Sequence, residues 1–569
     1  MKKIFLFVVI AITLLFYLPS LTYSVKLYDE LNIIKENYLP ICNSFAEMIE
    51  LIKHLGLNYY VESTNTLYSN IYSLRCNPFG NLLQLFIQIL FKKNTFLYHA
   101  YSICLHLINT SLVFLMLNKA SLIISRNKEA LSNSYRLAIV AILSLFWALH
   151  PANIESILLI TNANIVLSYT LVFSAMYCYL SSYSNESNNF NLKIQHYILI
   201  TACYLPALFI AEFHFLVPAI LIAYSLGIIH SSGFTLKLNN FKASILSTLP
   251  FITCVVIFIV FFLFSNTRIN TTIYNSQSYN NIQLLLERIF WFAPQVMSHL
   301  IKLTLAPIKL SIDQSHLVIF GQTLFSPYAI CCIAFMLIIT FLGFISFFKN
   351  KPSLLYILII PFLISLMPFS HILAPLYNIT SERYLYLPSF IFIFGLTHFI
   401  IYYASFHKTN LTKVVMPLMS LLLIAMTIRA HIRKVEWEDN ISLYKAAIKA
   451  TDNPLFKAFR YKGLTPTDRI LIGLPEFEVD PKYRRIAITL IKEAIKKYKH
   501  EKKLYQDKTP AIVKSYGLDP ATFYAKSGYF LAQTDFTINT NPEEALKIIS
   551  NYASDLSLFD SSSASFYAS

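Results

Sequence analysis

Apolar runs of near-membrane length begin around residues 4, 96, 137, 156, 195, 213, 243, 326, 354, 383 and 412. A helix needs roughly 20 apolar residues to cross the hydrocarbon core, so each run predicts a spanning helix. Pro and Asn interrupt several of them, as in HPAN at 150–153 and TNAN at 161–164. Beyond residue 428 the pattern changes to amphipathic stretches such as DPKYRRIAITLIKEAIKKYKHEKKLYQ and NPEEALKIISNYASDLSLF, the second opening on a capping Asn and a first-turn Pro. The chain reads as all-α: a polytopic membrane body of about 11 transmembrane helices over 1–428, followed by a soluble helical domain over 429–569.

Composition agrees. Of 569 residues, 56% are hydrophobic and 13% charged, and mean hydropathy is +0.54; a soluble globular chain carries about 25% charge. Residues 1–428 hold 24 Lys+Arg and 13 Asp+Glu, and residues 429–569 hold 22 and 17. The net charge of +16 is not a nucleic-acid footprint, because no basic stripe interleaved with aromatics appears.

Lys and Arg set the orientation. With the N-terminus cytoplasmic, the inner segments hold Lys2, Lys3, Lys119, Arg126, Lys128, Arg136, Lys193, Lys237, Lys242, Lys349, Lys351, Lys408 and Lys413, and the short outer turns only Arg383. The first run lacks a clean small-x-small cleavage site after LTYSVK and is read as an uncleaved span. Two large outer loops result, about 22–95 and 265–325. Both contain amphipathic stretches expected to lie at the membrane surface, NLLQLFIQILF in the first and RIFWFAPQVMSHLIKL in the second. The C-terminal domain falls outside. Arg429, Arg433 and Lys434 then sit on the outer face, against the charge rule. Cys42 and Cys76 share the first loop, and their pairing is left open.

Acids are scarce in the body, and all but Glu129 and Glu186 fall on the outer side, so general-base chemistry is expected there. Asp29-Glu30 follows the first span and reads either as a solvated boundary or as a base beside a lipid headgroup. In HPANIES, Pro151 breaks the helix, Asn153 is expected to cap the next one and Glu155 to sit in its positive first turn. Arg383, in ERYLYLP, needs a partner at that depth: Glu382 or an anionic ligand such as a lipid phosphate. Belt tyrosines such as Tyr384 flank it. His99 and His106 share a helix face without a third ligand at suitable spacing, which favours packing over metal binding. GxxxxGK[ST], GxSxG, HExxH and CxxC are all missing, which removes support for an ATP-driven pump, a hydrolase with that nucleophile motif or a zinc protease. The sequence names no cofactor and leaves a divalent-metal requirement open.

In the tail, WEDNISLYKAAIKATDNP and AKSGYFLAQ with NPEEALKIISNY each resemble parts of a tetratricopeptide (TPR) unit, although the 34-residue period is not cleanly kept. Several pieces occur together in order: Tyr28-Asp29-Glu30, YHAYSICLHLIN, ALHPANIESILLITNANIVLSYTLVFSAMYCYL, APIKLSID, LYNITSERYLYLPS and VEWEDNISLYKAAIKATDNP. Together they resemble the transmembrane-and-tetratricopeptide-repeat O-mannosyltransferase-like proteins of the GT-C glycosyltransferase superfamily, over nearly the whole chain. NPFG at 77–80 stands where that family often has Arg-Pro, and TNAN where Gly-Arg is common. The resemblance implies inverting transfer from a polyprenyl-phosphate-linked sugar. Asp29 would be the base and Glu30 its assistant, Arg383 with Arg288 or Lys302 would hold the leaving phosphate, and His150, Glu155, Glu382 and Tyr384 would shape the site. It further implies a protein or peptide acceptor gathered by the helical tail. Abundant Ile, Asn and Lys with little Gly point to a bacterial inner membrane with a periplasmic active face. Two rivals stand beside this reading: an envelope polysaccharide polymerase or ligase, and a non-catalytic membrane scaffold binding partners through its repeats.

Overall fold

The computed structural model describes residues 1–24, 78–92, 94–125, 132–184, 189–231, 238–264, 282–312, 323–349, 353–373, 379–406, 410–462 and 482–505, with isolated positions at 314, 316–318, 320, 376 and between 508 and 531. Asp29, Glu30, Asp313, Cys42 and Cys76 lie outside the described residues.

The described chain is helical apart from a two-residue antiparallel ladder, β1 (Tyr183–Ser184) with β2 (Asn189–Phe190). The helices of the body are α1 (Lys2–Tyr17), α2 (Pro78–Phe91), α3 (Thr95–Ser125), α4 (Asn133–Ala148), α5 (Asn153–Leu158), α6 (Ala163–Ser181), α7 (Ile194–Ile210), α8 (Val217–Ser231), α9 (Leu238–Ser247), α10 (Leu249–Phe264), α11 (Ile282–Glu287), α12 (Ala293–Leu305), α13 (Pro327–Lys349), α14 (Leu354–Leu366), α15 (Tyr386–Phe406) and α16 (Asn410–Glu436). The tail contributes α17 (Asn440–Ala450), α18 (Pro454–Lys462) and α19 (Lys482–Tyr505).

Among the described residues, seven helical stretches are long and apolar enough to cross a membrane, or eight if the pair α9–α10, bent by 62°, is one span. The remaining predicted runs form the shorter apolar helices α4, α7 and α14. The run expected from about 156 is split. His150–Ala152 form a turn, Asn153–Leu158 form the short helix α5, the chain turns extended at Leu159, and α6 begins at Ala163. The stretch Glu382–Ser405 is central, 72% buried, whereas Val414–Glu436 is 11% buried and lines the outside of the bundle. Central packing is tight where Gly395 of α15 meets α14: a Cβ there would lie 2.7 Å from the Leu358 Cα.

Side-chain contacts sort the helix ends onto two faces. At one, Ser134 Oγ reaches Met1 Sδ, and Arg136, in the first turn of α4, donates to Asn118 Oδ1, Ser121 Oγ and Asn133 Oδ1. At the other, Tyr17 O–H and His106 Nε2–H both donate to the Ala148 carbonyl, joining the end of α1, the first half of α3 and the end of α4. His106 Nδ1 and Asn109 bond the Tyr386 hydroxyl, and Trp147 Nε1 donates to the Tyr386 carbonyl, which adds the start of α15. These faces are the ones expected to be inner and outer.

Both amphipathic loop stretches lie along the second face. Phe79 of α2 packs on Phe209 at the end of α7, while Phe91 packs on Tyr98 at the start of α3. Ahead of α12, Phe292 meets His371 beyond α14, and the Thr304 carbonyl near its far end accepts from His150 beyond α4. Each helix therefore bridges neighbouring bundle ends.

Candidate functional site

The site forms on this second face around the segment Ser381-Glu382-Arg383. Ser381 is extended and a 3₁₀ turn over Glu382–Leu385 follows. Across this change of backbone, Ser381 and Arg383 turn one way, to Glu155, and Glu382 the other, to Arg433.

On the first side, Glu155 receives three hydrogen bonds. Ser381 Oγ donates to Oε1 at 2.7 Å, Arg383 Nη1 donates to the same oxygen at 2.7 Å, and the Arg383 backbone N–H donates to Oε2 at 3.2 Å. The Glu155 side chain is buried at 1% exposure, whereas that of Arg383 is 23% exposed. The Arg383 guanidinium lies 5.8 Å from the Tyr384 ring, which itself stacks on Phe369.

On the other side, Glu382 is fully buried and accepts from the Ser311 N–H, from Gln314 Nε2 and from Arg433 through Nε and Nη2. Arg433 continues the chain to Glu436, and Arg429 joins it there while donating to the Ile308 carbonyl. Lys434 donates to the Phe16 carbonyl at 2.6 Å and sits over the Phe16 ring. The three cations that broke the charge rule are thus each engaged, two by carboxylates and one by a backbone carbonyl and a ring.

Two expectations are corrected here. Arg383 pairs with Glu155 and not with its neighbour Glu382, which is taken by Arg433, because adjacent side chains diverge in this backbone. Asn153 does not cap α5. It is already the first helical residue, and its Nδ2 donates back to the Trp147 carbonyl.

Two buried histidines fasten the surrounding loops. His150 accepts from the Ala152 N–H at Nδ1 and donates from Nε2 to the Thr304 carbonyl. His371, left-handed at φ 66°, accepts from the Leu376 N–H and donates to the Ile379 carbonyl. Burial pushes both imidazoles down to about 4 despite those carbonyl bonds, and the Arg288 charge further opposes protonation of His371. His299 donates to Gln314 and is likewise pushed to about 4, first by burial, with Lys302 and His316 adding charge. Arg288 thus stands near His371, and Lys302 is exposed in the last turn of α12. No described hydrogen bond or ion pair joins either to Arg383.

The face also carries the approach to Asp29-Glu30. The Ser24 N–H and hydroxyl reach the Glu438 carbonyl just after α16, and Asp439 caps α17 by accepting from the Ser442 N–H. His316 stacks on Phe456 of α18, bringing the tail to the same face. Among the described residues no three His, Cys, Asp or Glu side chains cluster as a metal site.

Nothing in the sequence singles out Ser311, Gln314, Ser381 or Glu436, and Arg433 stands out only as a cation against the charge rule. The signal available for Arg433 was its charge: a cation directly after an apolar run, on the wrong side, requires a buried acid. Comparison with protein-family models, curated proteins and solved structures gave no match for this chain.

Proposed function

We propose that the chain is a GT-C-type membrane glycosyltransferase that moves a sugar from a polyprenyl phosphate to a hydroxyl of a protein or envelope acceptor. On this reading α4, α7, α14 and the bent α9–α10 complete 11 crossings. The second face is periplasmic on a bacterial inner membrane, and the tail is a TPR-like repeat.

One observation carries the proposal. The sequence pieces that suggested it, far apart in the chain, converge on one face: His106, HPANIES through Glu155, APIKLSID through Ser311 and Ile308, SERYLYLP through Ser381 to Tyr386, and VEWEDN through Glu436 to Asp439. Asp29 follows Ser24 by five residues, at most about 18 Å of extended chain.

The chemistry follows. The acceptor hydroxyl attacks the anomeric carbon while the bond from that carbon to the phosphate oxygen breaks, and configuration inverts. Asp29 takes the hydroxyl proton, with Glu30 positioning the acceptor. The leaving polyprenyl phosphate departs as an anion beside Arg383, whose guanidinium Glu155 and Tyr384 orient. Base catalysis of this kind supplies roughly 10²–10⁴-fold, with charge stabilisation at the phosphate adding to it.

The test is transfer of radiolabelled sugar from polyprenyl-phosphate donors by membranes holding the wild type or Asp29→Asn. Transfer by the wild type, reduced at least about 100-fold in the variant, supports the reading. Unchanged transfer removes Asp29 as the base, and no transfer by the wild type from any lipid-linked sugar favours a non-catalytic scaffold.

A further inference from the structure

Helix α19 holds nine Lys and Arg against two Glu. Its buried residues Ala487, Ile491, Ala494 and Tyr498 form one face, and Ala494 and Tyr498 pack against Leu455 of α18. At 100° per residue, Arg485, Lys492, Lys496, Lys499 and Lys503 all fall within about 40° of one line on the opposite face. All five are exposed, and none has an ion-pair partner among the described residues. Glu493 and Glu501 lie off this line, by about 80° and 160°. The stripe is about 27 Å long at 1.5 Å per residue.

We propose that this stripe docks an extended acidic segment of another protein, whether or not the chain transfers sugar. Three observations select that partner. From Lys492 onward the cations recur every three or four residues, about 4.5–6 Å, close to the 6.6–6.8 Å between same-side residues of an extended peptide. A segment with an acid at every second position would therefore match charge to charge. Four of the five are Lys, point charges on flexible stems that can each follow a separate carboxylate, where Arg's rigid fork would fix the geometry of each pair. The apolar face of α19 is occupied by α18, and α18 makes the Phe456 contact with the body. The stripe points away from α18, and Leu504, near the end of the helix and off the line of cations, is its one large exposed aliphatic side chain among the described residues, too little to enter a bilayer.

The test uses the full chain in phosphatidylcholine nanodiscs, titrated with a fluorescent alternating Glu-Thr peptide of about ten residues, enough to span the stripe. Saturable binding is expected, weakening with salt. Replacing Lys492, Lys496, Lys499 and Lys503 together by Gln should weaken it at least about tenfold, while replacing all four by Arg should preserve it. An unchanged melting temperature confirms that the Gln variant folds; if it does not fold, the single variants Lys496→Gln and Lys499→Gln carry the comparison. No saturable binding by the wild type, or equal binding by the folded Gln variants, overturns the proposal. Capture of phosphatidylglycerol vesicles through these lysines without peptide binding overturns it in favour of a membrane surface.

Discussion

Arg383 is held by Glu155, 228 positions earlier in the chain, while Glu382 beside it is held by Arg433. Two consecutive residues of opposite charge thus serve separate ion pairs, one opening to the surface and one sealed. The first fixes a guanidinium where a ligand could meet it, and the second ties the end of α16 to the start of α15.

Breaking the first pair should cost most when the buried acid is left behind. Arg383→Leu strands Glu155 with only neutral donors and is expected to destabilise the protein by about 3 kcal/mol. Adding Glu155→Gln should recover part of that loss, since the amide carbonyl still accepts from Ser381 or from the backbone N–H. Denaturation of the two single variants and the double variant in one detergent measures the coupling; strictly additive losses would contradict it.

Arg433 and Glu382 are both fully buried. Arg433→Met leaves Glu382 without its cation, at an expected cost of about 3–5 kcal/mol. Because Glu436 also loses a partner, the junction Trp437–Asn440 should become cleavable by protease. Mass spectrometry of the fragments locates the cut.

Most helices could be read from the sequence, and most of the network could not. Eleven apolar runs and the Pro-broken turn at HPANIES are legible in the sequence; both amphipathic loop stretches lie along one face, but the second is packed inside it, with nine of the thirteen residues of α12 buried. Local spacing says nothing of which acid meets which cation across 51 or 228 residues. It also suggested a cap at Asn153, where the carbonyl at Trp147 competed more effectively. The unbalanced cations Arg429 and Arg433 stand out in the sequence and have Glu436 on their own helix, but Arg433's buried partner Glu382 is brought near only by packing.

Acid should loosen the loops before it unfolds the bundle. His150, His299 and His371 protonate near 4 when folded and near 6.5 when unfolded. The unfolded chain therefore binds more protons between those values, and stability must fall as pH drops from about 7 towards 4. Each imidazole contributes at most about 3 kcal/mol to that loss. Melting curves across this range check it, and His150→Gln, keeping a donor for Thr304, should flatten the slope.

Gly395 and Gly343 separate backbone crowding from side-chain crowding. A Cβ at Gly395 meets the Leu358 Cα at 2.7 Å, whereas at Gly343 it meets the Ile360 Cδ1, a movable tip, at 2.9 Å. Gly395→Ala should cost about 1–3 kcal/mol and Gly343→Ala distinctly less, compared by thermal unfolding.

Transfer from a lipid-linked sugar outside the inner membrane requires one sidedness. Single cysteines at Ser24, His316 and Glu438, in a cysteine-free background, can be exposed to a membrane-impermeant maleimide with the outer membrane permeabilised and the inner membrane intact. All three should label, while cysteines at Lys2 and Lys193 should label only after the inner membrane is opened. Labelling of Lys2 and Lys193 from outside, with Ser24 and Glu438 protected until opening, would contradict a periplasmic site.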